Sequence, residues 1–227
     1  MSYSSAPFLP SRAPASAARA RLWAEFRTLA PVAVGALVFA AAIFAVAIAG
    51  GAYFGVPITT LTRDPVAELQ GAPYTGIVSN LGVLLWAGAA TLCFFAASLL
   101  RPGSEARRFF LFGGALTAAL LVDDLFLLHE AVAPIYLGVP EKAVHLGNGL
   151  LTLGFLYACR GVIMRTEPLL VMMALGLFGL SVVVDQLLPL SVSTALVVED
   201  GAKLAGITVW LAYFARAARR ALPGAPA

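Results

Sequence analysis

Charge is what this chain has least of. Asp, Glu, Lys and Arg make up 12% of its 227 residues, about half the ~25% typical of soluble globular domains. Cysteine is almost absent as well. Cys93 and Cys159 are the two present, without Cys-x-x-Cys spacing and without a nearby histidine. That pattern points to buried thiols and away from a disulfide or a thiolate metal site. Histidine also occurs only twice, and neither His129 nor His145 sits in a His-Glu-x-x-His stretch, so the commonest zinc-hydrolase helix motif is missing. No internal repeat supports the inverted halves of a transporter. No small-residue cleavage site accompanies the first apolar run, which therefore reads as an uncleaved anchor.

What the chain has in quantity is apolar surface, with 60% hydrophobic residues. A membrane-crossing helix needs ~20 of them in a row. Six runs approach that length, at 31–54, 76–100, 108–130, 142–163, 168–189 and 194–216. The expected fold is all-α: an integral membrane bundle of six transmembrane helices over 29–220, with a flexible basic tail at 1–28 and a short C-terminal tail at 221–227. The third and sixth runs carry acids, so four or five spans is the competing count.

The basic residues are sorted along the chain. Arg12, Arg19, Arg21 and Arg27 precede the first run; Arg101, Arg107 and Arg108 follow the second; Arg160 and Arg165 close the fourth; Arg216, Arg219 and Arg220 close the sixth. With six spans all of these fall on one face, which the positive-inside rule makes cytoplasmic. Both termini are then cytoplasmic, in the plasma (inner) membrane of a bacterium. Lipids are the expected partners and nucleic acid is not. The stretch 54–75, with Pro57, Pro65 and Pro73, is long for a helix connection and reads as a lid or a plain loop.

The polar residues inside the runs converge on one side. Ser79 and Asn80 open the second; Asp123, Asp124, His129 and Glu130 lie late in the third; Glu141, His145 and Asn148 begin the fourth. Asp185 and Gln186 end the fifth, and Glu199, Asp200 and Lys203 begin the sixth. An ionisable group at mid-membrane costs about 2.5–3.5 kcal/mol, so Asp123, Asp124, Asp185, Glu199, Asp200 and Lys203 would together cost roughly 15–20 kcal/mol there. They must face one another, water or an ion.

Helical spacing then assigns faces. Glu141, His145, Asn148 and Thr152 form one stripe. Asp123 shares a face with Glu130, and His129 points elsewhere. Ser181 aligns with Asp185. Lys203 can pair with Glu199 or Asp200 one turn earlier. One lysine leaves an excess of carboxylates, which protons, water or a divalent cation can offset. Carboxylates with two histidines suit zinc, iron or manganese. The expected ligands are His145, Asp185, Glu199, Asp200, His129 and Glu130. Asp123 or Asp124 is the expected general base and Lys203 the group that stabilises negative charge. Ser79, Asn80, Glu141 and Asn148 complete the polar site. Against this stands a structural reading, in which Asp124 and Asp185 bond neighbouring helices, Lys203 sits in an ion pair, and Trp86 and Trp210 pack towards lipid.

Two stretches carry a family resemblance. Tyr74-Thr-Gly-Ile-Val-Ser-Asn80 followed by Val122-Asp-Asp-Leu125 resembles the alkaline ceramidase and adiponectin-receptor superfamily of seven-span zinc hydrolases. The resemblance implies roles for Ser79 and Asp123. That family's histidine before the Asp and its paired histidines in the last span have no counterpart here. Glu199-Asp-Gly-Ala-Lys203 is similar to an acid-acid-x-x-Lys element of intramembrane metalloprotease-like proteins. Together with Asp123-Asp-Leu-Phe-Leu-Leu-His-Glu130 it also resembles an uncharacterised family of bacterial multi-pass membrane proteins. The functional expectation is a metal-dependent membrane hydrolase of lipid or peptide bonds. The alternatives are a proton- or cation-coupled transporter or channel, and a structural membrane subunit.

Overall fold

The computed structural model describes residues 15–187 and 192–222. All regular structure among them is helical. The chain divides into two compact units, one ending at Thr75 and the other beginning at Gly76.

The first unit holds α1 (Ala15–Phe54), α2 (Ile58–Thr62) and α3 (Pro65–Glu68). α1 starts inside the stretch expected as a flexible tail, so residues 15–28 are helical; residues 1–14 lie outside the described residues. The Asp64 side chain caps α3 by accepting from the Ala67 N–H at 3.0 Å, which satisfies one of the unpaired donors of a helix start. Arg63 and Glu68 pair at 2.8 Å.

The second unit holds α4 (Ile77–Leu99), α5 (Glu105–Leu125), a π-helical segment (Leu128–Tyr136), α6 (Glu141–Arg165), α7 (Pro168–Leu187) and α8 (Val192–Ala221). Ser104 caps α5 through the Arg107 N–H at 3.1 Å. α7 packs along α8, and α4 packs along both α5 and α8; α6 leans on α5 and the π segment and meets α7 at few positions.

Small residues permit the close packing, as expected where helices associate by van der Waals contact. Ala89, Cys93, Ala96, Ala97, Ala217 and Ala218 are buried in the core with Phe109, Phe110, Tyr213 and Phe214. A methyl group on Gly113 would come within 2.6 Å of the Phe214 ring, and one on Gly206 within 2.6 Å of Phe178.

Among the described residues, four helices are long and apolar enough to cross a membrane: Leu29–Phe54, Ile77–Leu99, Glu141–Arg165 and Pro168–Gln186. A fifth is counted if Glu105–Leu125 and Leu128–Tyr136, bent by 68°, form one span. The sixth expected run is continuously helical in α8, but Glu199, Asp200 and Lys203 follow closely there and α8 is not among these helices. The expected straight helix at 108–130 is corrected: α5 stops at Leu125, and Leu127 takes a left-handed conformation at φ 51° before the π segment. Such a conformation is costly for a bulky residue and needs surrounding structure to hold it. The expected turn at Pro189–Ser193 lies largely outside the described residues.

Trp86 and Trp210 are also corrected. They are buried, 4% and 1% exposed, and do not face outwards. The Trp210 indole N–H donates to Thr117 Oγ1 at 3.0 Å, and Thr117 in turn donates to the Gly113 carbonyl at 2.7 Å. A buried indole needs such a partner, and the small residues of α5 leave room for it.

Candidate metal centre

The antiparallel order of the second unit brings the end of α5, the π segment, the starts of α6 and α8 and the end of α7 to one end of the bundle. There the break after α5 decides the geometry. It turns the chain back so that Asp123 Oδ1 accepts the backbone N–H of His129 at 2.9 Å. Asp123 Oδ2 accepts from Asn148 Nδ2 at 2.7 Å and lies 3.0 Å from His129 Nδ1. The expectation that His129 points away from Asp123 is therefore wrong. It assumed an ideal helix through residues that form a kink and a π turn.

Asp123 and Asp124 are both buried, each 7% exposed. Asp124 Oδ1 accepts from Lys203 Nζ at 2.5 Å. Lys203 thus pairs across helices with α5 and not, as expected, with Glu199 or Asp200 on its own helix. The close approach of α4, α5 and α8 explains the choice: a methyl group on Gly82 would lie 3.3 Å from Ile207 and 4.0 Å from Asp124 Oδ2. A buried acid beside a lysine gains more from pairing than a better hydrated one.

The two histidines stand with ring centroids 4.8 Å apart. His129 Nε2 is 3.3 Å from Glu130 Oε1. His145 Nε2 is 3.4 Å from Glu141 Oε1 and 3.9 Å from Asp185 Oδ2. Gln186 Nε2 donates to Glu141 Oε1 at 3.1 Å and to Asp185 Oδ2 at 2.7 Å, which holds both carboxylates in place. His145 Nε2 and His129 Nδ1 are buried without a well-directed hydrogen bond. For His129 Nδ1 the 3.0 Å separation from Asp123 is close enough, but its alignment is not.

One ligand atom from each of His129, Glu141 and His145 lies within 4.8 Å of the others, so the three could hold a metal ion. Two ligands about 2.0–2.2 Å from a tetrahedral ion sit about 3.4 Å apart, which is the His145–Glu141 separation. Asp123 beside His129 matches the carboxylate that usually orients a metal-binding imidazole.

The remaining expected residues divide. Asp185 is beside the cluster. Glu199 lines the same cavity as His129 and His145, and its carboxylate makes no hydrogen bond or ion pair among the described residues. Asp200 and Ser79 line a separate small recess that shares Asp124 and Lys203. Asn80 is exposed and lines neither. The four-residue step from Glu141 to His145 marked both in the sequence as possible ligands on one helix face, although Glu141 was assigned to the wider polar site. Sequence reasoning gave Gln186 no role.

Below the cluster is a cavity of about 590 Å³, walled by α5, α6, α7 and α8 and floored by Trp86, Phe178 and Trp210. The fold and site define an all-helical bundle with a histidine–carboxylate cluster over a largely apolar cavity. The chain belongs to the family described as Domain of unknown function (DUF8692), whose model matches residues 30–217. No curated protein and no solved structure matches it.

Proposed function

We propose that the protein is an integral membrane hydrolase that depends on a divalent metal held by His129, Glu141 and His145, with Asp185 beside them. The carrying observation is the buried Nε2 of His145, which makes no hydrogen bond among the described residues and stands 3.4 Å from Glu141 Oε1. A buried imidazole nitrogen facing carboxylates is costly unless a proton or a cation joins them. When bound, zinc, iron or manganese would lower the pKa of water and polarise a carbonyl oxygen.

The roles of the surrounding residues follow from their partners. Asp123 accepts from His129 and Asn148 and positions the imidazole. Asp124 is committed to Lys203. Neither is free to act as the base that the sequence suggested. The Glu199 carboxylate faces the cavity with no hydrogen bond among the described residues and is the acid able to take a proton from water. Lys203, whose charge is taken up by Asp124 in the cavity wall, is likewise not free for the charge-stabilising role the sequence suggested. The membrane reading extends to six spans, with α8 as the sixth, and to both termini in the cytoplasm, on the basic-residue asymmetry. The site then opens to the outer side of the plasma membrane.

The test is the melting temperature of the purified protein with each divalent ion and with a chelator. A ligand that binds the native state raises it by mass action. Zinc, iron or manganese should raise it for the parent and not for His145→Ala. A parent that stays folded and shows no shift with any of the three would refute the metal centre.

A further inference from the structure

The cavity beneath the cluster has two chemistries. Its floor is Trp86, Leu120, Phe178 and Trp210; its upper wall carries Asp123, Asp185 and Glu199. A volume of about 590 Å³ falls within the ~300–1,000 Å³ of small-molecule sites. Water is poorly held against such a floor, and a wholly polar ligand would leave the aromatic rings uncovered.

The cavity also has a side. Gly149 of α6 and Gly179 of α7 both line it. A methyl group on either would meet nothing within 4 Å. Leu153, Val182 and Val183, in the same two walls, are exposed. The gap between α6 and α7 therefore leads from the cavity to the apolar flank of the bundle, where membrane hydrocarbon would lie.

Charge selects the head group. With Lys203 committed to Asp124, the carboxylates of Asp123, Glu141, Asp185 and Glu199 exceed what one divalent ion neutralises. A phosphate head would meet like charge, and like charges brought together are strongly selected against.

We propose that the cavity takes a single-chain amphiphile whose head bears an ammonium group and no phosphate, a long-chain amine. It is admitted between α6 and α7, with its tail on Trp86 and Trp210 and its head below Asp185 and Glu199. This rests on the membrane reading above for the source of the ligand, and does not require the metal.

The experiment uses the full chain with Trp23→Phe, so that Trp86 and Trp210 supply the fluorescence. The protein is reconstituted in phosphatidylcholine vesicles and titrated with a hexadecylamine brominated in mid-chain or with the matching alkyl phosphate. Saturable quenching by the amine is expected, reversed by unlabelled amine and at least about tenfold weaker for the phosphate. Gly179→Leu should remove the saturable component, with Gly149→Leu as the second variant if the first does not fold. Asp185→Asn with Glu199→Gln should narrow the difference between the heads. Linear quenching that is equal for the two heads, or a preference for phosphate, would overturn the proposal. The same titration with a chelator separates the two readings. Saturable amine binding in a protein that holds no metal keeps the cavity assignment and removes the metal. Bound metal without saturable quenching does the reverse.

Discussion

Lys203 carries the clearest consequence at the residue scale. Its ammonium is the partner of a buried carboxylate, so Lys203→Met leaves Asp124 charged and alone. Loss of one partner of such a pair costs about 3–5 kcal/mol. The variant should unfold at lower denaturant in detergent, and Lys203→Met with Asp124→Leu should recover much of the loss. A single variant as stable as the parent would contradict the pair. The sequence offered Glu199 and Asp200, one turn away, as partners. It could not offer Asp124, because the distance between α5 and α8 is a property of the packed bundle. At the opposite end, Glu167 is held by Arg216 and Arg220. The hydrogen bond from Arg216, followed by the charges of Arg216 and Arg220, draws its carboxyl below the usual carboxylate range. A lowered folded pKa contributes stability that is present above the unfolded value, about 4.3, and is lost as pH falls through the folded one. Glu167→Gln should therefore melt below the parent at neutral pH, and the two curves should converge in acid. Parallel curves throughout would remove the role.

At the scale of elements, the tight and the open helix contacts make opposite forecasts. A methyl group on Gly206 meets the Phe178 ring at 2.6 Å, whereas one on Gly179 meets nothing within 4 Å. Gly206→Ala should destabilise the bundle by about 1–3 kcal/mol through overpacking. Gly179→Ala should leave the melting temperature unchanged or raise it, since alanine is the better helix former. Equal effects would show that α6 and α7 are packed as closely as α7 and α8. Faces within one unbroken helix were legible in the sequence: His145, Asn148 and Thr152 do share the cavity wall. The end of α5 was not. Spacing rules assume constant twist, and the left-handed Leu127 and the π turn change it, so His129 reached Asp123 from a predicted wrong face. Trp86 and Trp210 were misread for a related reason. An apolar helix presents no periodic contrast by which to tell a lipid-facing side from a core-facing one.

At the scale of the whole molecule, the gathering of polar groups at one end followed from chain order alone, since successive apolar helices alternate in direction. The proposed orientation rests on the arginine asymmetry. Single cysteines placed at position 63 and near the C-terminus, in an otherwise cysteine-free chain, should be labelled from the outer and the cytoplasmic side respectively. Labelling of position 63 from the cytoplasm would reverse the topology and put the site on the other face. The central claim is the metal centre, and the most direct measurement is the metal content of the protein purified without added ions or chelators. About one zinc, iron or manganese ion per chain is predicted for the parent and for Cys159→Ala. His129→Ala, Glu141→Gln and His145→Ala should each lose most of it while remaining folded. Metal content that is negligible in the folded parent, or unchanged across the three ligand variants, would contradict the account.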